Sequence, residues 1–172
     1  MYLGGDFGEN PDSVNAYAAS SFYAVDRYAS FIQDWCEYHK SGGLILTDRY
    51  TTSNALHQGA KIAPAEREDF FKWLYDYEFN LLGLPAPDIV FFMDIDAKFA
   101  VTRLERRQNE TGTDADIHEK DMKYLEHCAQ SGKHAASQFG WHRIRCMHED
   151  TERDTEEIHT EVYDLISMLQ SR

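Results

Sequence analysis

Basic residues are scarce in this chain. Seventeen Lys and Arg stand against thirty Asp and Glu, leaving a formal net charge of −13 over 172 residues. Nucleic acids and anionic membranes are gripped by basic faces, so this balance argues against either as a partner. It leaves a nucleotide ligand open, because a few arginines make a local positive pocket. Cysteine is also sparse. Cys36, Cys128 and Cys146 are odd in number, far apart and without Cys-x-x-Cys spacing. They indicate neither a disulfide framework nor a zinc site, and they fit thiols kept reduced in the cytoplasm. No apolar run approaches the length that spans a bilayer, and no basic-then-apolar signal pattern opens the chain. What is present is an ordinary globular share of hydrophobic residues, 42%, in a length that suits a single domain over residues 1–172.

The stretch from Gly43 to Gln58 organises the reading. Leu44, Ile45 and Leu46 form an apolar run with no polar alternation, which predicts a strand buried on both faces. Polarity switches at Asp48-Arg49. In open α/β sheets ligands bind beyond the carboxyl ends of the strands. An arginine there suits a phosphate, and an acid there suits magnesium held through water. A surface ion pair capping the strand is the competing explanation of the same two residues.

Upstream, Asn10-Pro11 predicts the start of a helix running to about Lys40. Val14, Ala18, Phe22, Val25, Ala29, Ile32 and Cys36 recur at steps of three and four and predict its buried stripe. Tyr23 and Arg27 lie four apart, off that stripe. One reading has them hold a nucleobase, by stacking and by hydrogen bonding. The other makes them a cation–π pair on a helix surface.

Downstream, Ser53, Asn54, His57 and Gln58 fall at helical spacing and carry the donors and acceptors that a base edge and a sugar require. Ala65 to Leu82 predicts a helix with Phe70, Trp73, Leu74, Tyr77 and Leu81 on its apolar face. So many aromatics suggest packing against a second subunit. Asp88 to Asp94 predicts a second buried strand. A helix comes next over Ala97 to Arg107, with Arg103, Arg106 and Arg107 near its end. These either complement the helix dipole or form a lid arm that touches phosphate. Gln108 to Ala115 reads as a loop and Asp116 to Gln138 as a helix, with Met122, Leu125, Ala129 and Ala136 inward. Trp141 to Met147 reads as a third strand nearer the sheet edge, and Glu149 to Thr155 as a charged loop. Thr155 to Leu169 reads as a last helix, with Ile158, Val162, Leu165, Ile166 and Leu169 inward. The order predicts an α/β protein with a parallel sheet.

These words in this order resemble the thymidylate kinase family. The Asp-Arg-Tyr at 48–50 is similar to its strand-end signature, and Phe22 to Arg27 is similar to its Phe-x-Ala-x-Arg segment. The spacing of Asp48, Ser53-Asn54 and Gln58 matches as well. Gly83-Leu84-Pro85 with Pro87-Asp88, then Phe92 to Ile95, looks like its Pro-Asp strand element. Asp116 to Glu119 is similar to its Asp-x-x-Glu after the lid. The resemblance covers essentially the whole chain.

The resemblance implies a three-layer, parallel-sheet, P-loop kinase-like α/β fold. It implies phosphoryl transfer from ATP to thymidine monophosphate (dTMP) with magnesium, in a cytoplasmic homodimer. By the same likeness, Arg49 would bind the dTMP phosphate, and Asp48 would lie by the magnesium and the acceptor. Tyr23 would stack on thymine, Arg27 would bond its carbonyl edge, and Asn54 and Gln58 would read the rest of the base. Ser53 would belong to the same subsite. His57 stands where the family often has a tyrosine beside the sugar. Arg103, Arg106 and Arg107 would belong to a lid over residues 103–119, and Ile117 replaces a basic lid residue common in the family.

The family's opening strand, Gly-x-x-x-x-Gly-Lys-Ser/Thr loop and helix have no counterpart in these residues. That element cradles the donor phosphates. Its absence leads to an expectation of negligible kinase activity for the 172 residues alone. A misassigned start, a fragment and a degenerate protein completed by a partner would each account for it. A non-catalytic nucleotide-binding or dimerisation module is the alternative function.

Overall fold

The computed structural model describes residues 13–111, 122–149 and 151–170. Helix α1 spans Ala16–Ser30 and is capped by Asn15, whose side-chain oxygen accepts the Ala18 N–H at 2.9 Å. That bond satisfies one of the amide donors a helix start leaves open. Asn10 and Pro11, the expected start, lie outside the described residues. The ladder then widens into a π-helical turn over Phe31–Trp35 and closes as α2, Cys36–Lys40.

The predicted stripe on α1 faces the wrong way. Phe22, Val25 and Ile32 are exposed, whereas Ala16, Ala19, Ser20 and Ala24 are buried. Small side chains let neighbouring segments approach closely. Thus Lys61 Nζ reaches the Val14 carbonyl at 3.1 Å, and the Tyr17 ring packs edge-on against Trp73 at 4.6 Å.

Leu44 to Leu46 does not form a strand. The segment has no regular structure, no described strand pairs with it, and Leu44 and Leu46 are 52% and 71% exposed. A strand hidden on both faces needs neighbours on both sides, and apolar composition alone does not provide them. Helix α3 comes next at Thr51–His57, then a 3₁₀ turn at Gly59–Lys61. The buried Arg67 braces that turn by donating from Nε to the carbonyls of Gly59 and Ile62, at 3.0 and 3.2 Å.

Helix α4 covers Arg67–Tyr75 and passes into a second π-helical turn, Asp76–Leu81. Phe70, Phe71 and Leu74 are fully buried in the core of this single chain, together with Ala16, Ala55, Phe92, Ala135 and Trp141. Phe70 thus lies in the interior of the chain, while Trp73 and Tyr77 are half-buried. Leu81, expected on the apolar face, is exposed. The π turn rotates it away from the face that Phe70 and Leu74 occupy.

Strand β1, Phe91–Asp94, pairs in parallel with β2, His142–Arg145, in the register Phe91↔His142 to Asp94↔Arg145. The parallel sheet among the described residues is thus two-stranded, smaller than the predicted three strands, and helices dominate. In β2, Ile144 is buried between exposed charged neighbours. Between the strands lie α5, Ala97–Thr111, and α6, Met122–Phe139.

Gly132 of α6 sits where a Cβ would come 2.7 Å from the Phe92 ring, which is why no side chain stands at that crossing. Met122 is exposed, and Tyr124, Cys128, Ser131 and Ala135 form the buried face with Ala136. The expected charged loop contains a short hairpin, β3 (Met147–His148) with β4 (Thr151–Glu152). Helix α7, Thr155–Gln170, packs Ile158, Val162 and Leu165 against Ile144 and Cys146, whereas Leu169 is exposed. None of the described helices is long and apolar enough to cross a membrane.

Candidate functional site

Asp48 and Arg49 form an exposed bend immediately before α3. Arg49 has φ 67°, a left-handed conformation that disfavours every side chain with a Cβ. The Thr47 hydroxyl donates to the Arg49 carbonyl at 2.8 Å and holds the bend. Backbone strain kept at a charged, exposed residue is the kind of outlier that accumulates at binding sites.

One residue on, Tyr50 turns inward. Its hydroxyl donates to the Pro85 carbonyl at 2.9 Å, and its ring lies 5.3 Å beneath the Arg27 guanidinium carbon. Burial pushes the Tyr50 phenol up to about 12, so it stays a neutral donor.

Arg27 reaches across from α1 and is far from being a surface residue. Its Nε donates to Glu78 Oε2 at 2.7 Å and its Nη2 to Oε1 at 3.1 Å. Two groups from α3 join the same carboxylate: Thr51 Oγ1 at 2.7 Å and Asn54 Nδ2 at 3.3 Å. Glu78 itself is 0% exposed. A buried carboxylate is tolerable only when paired and hydrogen-bonded, and this one is both. The structure thereby brings Arg27, Tyr50, Thr51 and Asn54 together beside the Asp48–Arg49 bend.

Tyr23 is half-buried on α1, one helical turn before Arg27, and Ser53 is half-buried in the first turn of α3. Gln58 is only 1% exposed and its Oε1 has no protein partner. His57 faces α6: its ring stacks near Tyr124 at 6.4 Å, and its Nδ1 lies 3.7 Å from Cys128 Sγ. Arg103 makes an ion contact with Glu152 at 3.2 Å, although its Nε is not aligned for a hydrogen bond. Arg106 is exposed. The Arg107 side chain, and residues 112–121 of the expected lid with Asp116, Ile117 and Glu119, lie outside the described residues. The second strand-end acid, Asp94, accepts from Arg143 Nε at 2.7 Å and lies 3.5 Å from Lys133. It ties β1 to β2 and α6.

Sequence reasoning passed over Glu78. A signal was there. Glu78 comes four residues after Leu74 and seven after Phe71, so helical spacing sets a lone acid in line with the apolar face. An acid in that position needs a cation, and Arg27 is it.

Three acidic hydroxyl or thiol groups in this region are shifted by burial. Cys128 rises from 9.0 to about 12, and Tyr50 and Tyr75 rise from 10.0 to about 12. The folded state keeps each group neutral, while the unfolded chain ionises earlier. Their stabilising contribution is therefore whole below about pH 9 and is lost as pH rises towards about 12. Urea unfolding across that window is expected to show falling stability, with Cys128 alone contributing a slope on the order of 1 kcal/mol per pH unit. A flat alkaline profile would contradict the burial of all three.

The arrangement defines a class: an α/β domain in which a strained, exposed cationic bend stands beside a buried carboxylate held by Arg27, Thr51 and Asn54. The family model described as Thymidylate kinase matches residues 9–162. The chain is 30% identical over 142 residues to the Thymidylate kinase of Mycobacterium tuberculosis (strain ATCC 25618 / H37Rv), covering 81% of this chain and 64% of that protein. It is 32% identical over 89 residues to the Probable thymidylate kinase of Staphylothermus marinus, covering 52% of this chain and 40% of that one. Over 117 residues it is 26% identical to the Probable thymidylate kinase of Picrophilus torridus, covering 66% and 53%. The chain belongs to the thymidylate kinase family, which places it in the α/β class of P-loop kinase folds. It spans just under two thirds of the length of the Mycobacterium tuberculosis relative.

Proposed function

We propose that this chain carries the acceptor side of a thymidylate kinase. It binds dTMP and holds its phosphate for attack on the γ-phosphorus of ATP, giving thymidine diphosphate and ADP. One P–O bond forms to the acceptor oxygen while the β–γ bridge breaks. Such transfer asks mainly for positioning and charge neutralisation from the protein.

The observation that carries this reading is the convergence of Arg27, Thr51 and Asn54 on Glu78, with Tyr50, the neighbour of the strained Arg49, packed beneath Arg27. Arg49 grips the phosphate, Tyr23 stacks on the base, and Arg27 and Asn54 address its edge, with Ser53 and Gln58 behind them. His57 stands beside the sugar, its ring packed towards Tyr124 of α6. Arg103 and Arg106 belong to the lid arm.

Magnesium neutralises phosphate charge when bound. Among the described residues no group of three or more His, Cys, Asp or Glu could hold a metal. A magnesium ion set between substrate phosphates needs no such cage, and one exposed carboxylate, that of Asp48, with bound water suits it.

The reading includes a cytoplasmic homodimer. Its support is the line of Phe22 and Val25 on α1 and Ile32 in the π-helical turn after it, an exposed apolar face that a second copy can match by two-fold symmetry. Calorimetric titration tests the core of the proposal. Heat of binding is expected with dTMP, and affinity at least about 100-fold weaker with thymidine, which lacks the charge-assisted phosphate bonds. Equal affinity for the two would reject a phosphate subsite.

A further inference from the structure

Glu78 touches no ligand in the proposed dTMP complex, yet it dictates what its neighbours can offer. An ionised carboxylate only accepts hydrogen bonds. Arg27 spends Nε and one Nη2 donor on it. The Nη1 donors remain, on a guanidinium whose plane is pinned over the Tyr50 ring. Asn54 also turns its amide nitrogen to Glu78. That assigns the amide's orientation, because the carbonyl oxygen would be repelled there. Asn54 Oδ1 is thereby fixed as the opposite, accepting end.

Beside the acceptor bend, then, stand a fixed donor and a fixed acceptor. Thymine presents the complement along one edge, its 4-carbonyl oxygen accepting and its N3–H donating. Cytosine reverses both, with a donating 4-amino group and an accepting N3. We propose that Glu78 is the positioning residue that sets this donor–acceptor pattern, and with it the preference for thymine over cytosine, by holding Arg27 and Asn54 together. This rests on the proposed dTMP site.

The discriminating substitution is Glu78→Gln. A glutamine amide is nearly the same shape but both donates and accepts, so it no longer fixes Arg27 and leaves the Asn54 amide only its long contact with the Ser20 carbonyl, at 3.5 Å. The readout is the ratio of affinities for dTMP and dCMP, measured by calorimetry below the unfolding midpoint of each protein. A purely structural role for Glu78 would lower that midpoint and leave the ratio alone. In the unaltered chain dTMP is expected to bind more tightly. In Glu78→Gln the preference is expected to shrink about tenfold, the worth of one charge-assisted hydrogen bond. A ratio within about twofold of the parent's would overturn the role of Glu78. No preference in the unaltered chain would instead overturn the dTMP reading on which it rests.

A second measurement needs no substitution. The Arg27 Nε–H, held by a buried carboxylate, is expected to resist hydrogen exchange in NMR spectra both before and after dTMP is added. Loss of that protection on binding would mean that Arg27 leaves Glu78 to reach the base, and the proposal would be wrong.

Discussion

Arg27→Met is expected to lower the unfolding free energy by about 3–5 kcal/mol, the usual cost of stranding one member of a buried ion pair. The reason is Glu78. With 0% exposure it has no water to turn to, and Arg27 supplies two of its hydrogen bonds, at 2.7 and 3.1 Å. Thr51 and Asn54 remain as neutral donors, but they leave the charge itself without a counterion. For a chain of this size the loss corresponds to a fall of roughly 10 °C in the thermal midpoint. The double variant Arg27→Met with Glu78→Gln is expected to recover a large part, because it removes both charges at once. Urea denaturation of the three proteins measures the effect. If Arg27→Met loses less than about 1 kcal/mol, the pair is no stronger than a surface contact and the convergence on Glu78 is not what holds α1 against α3.

Arg49→Ala is expected to weaken dTMP binding by about 100-fold while leaving the fold intact. Two parallel charge-assisted bonds to a phosphate are worth about 3 kcal/mol together, which converts to that ratio. The side chain is exposed and contributes little to packing, so circular dichroism should match the parent. Its backbone allows a sharper control. At φ 67° a glycine is unstrained, so Arg49→Gly should fold more stably than Arg49→Ala by about 1 kcal/mol and bind equally poorly. Parent-like affinity in both variants would remove Arg49 from the phosphate site.

How much could be read beforehand varied by element. The places of helices α5, α6 and α7 and strands β1 and β2 follow from the sequence to within a few residues, but their faces less so: Met93, Met122 and Leu169, expected inward, are exposed, and α5 continues to Thr111 through the start of the expected loop. Asp48, Arg49, Arg27 and Asn54 were visible as chemistry, and the structure adds that Arg27 and Asn54 meet at one carboxylate. Leu44 to Leu46 was misread because a buried strand is a statement about neighbours, which composition does not carry. On α1 and the turn after it, the larger side chains at 22, 25 and 32 were the expected core. Close approach instead favoured Ala16, Ala19, Ser20 and Ala24. Glu78 was legible only as a lone acid in line with an apolar face. Its partner lies 51 residues away, and no local pattern encodes that pairing.

The π-helical turn at Asp76–Leu81 carries Glu78. Such a turn holds one residue more than the regular spiral would. The extra residue is absorbed locally, so the chain on either side keeps its own register and Gly83 to Pro87 stay beside Tyr50, whose hydroxyl is anchored on the Pro85 carbonyl. Asn80 helps to close the turn by donating from Nδ2 to Asp76 Oδ1 at 2.9 Å. A one-codon deletion in the regular part of α4 has no such slack: it would swing Glu78 by about 100° around the axis and away from Arg27.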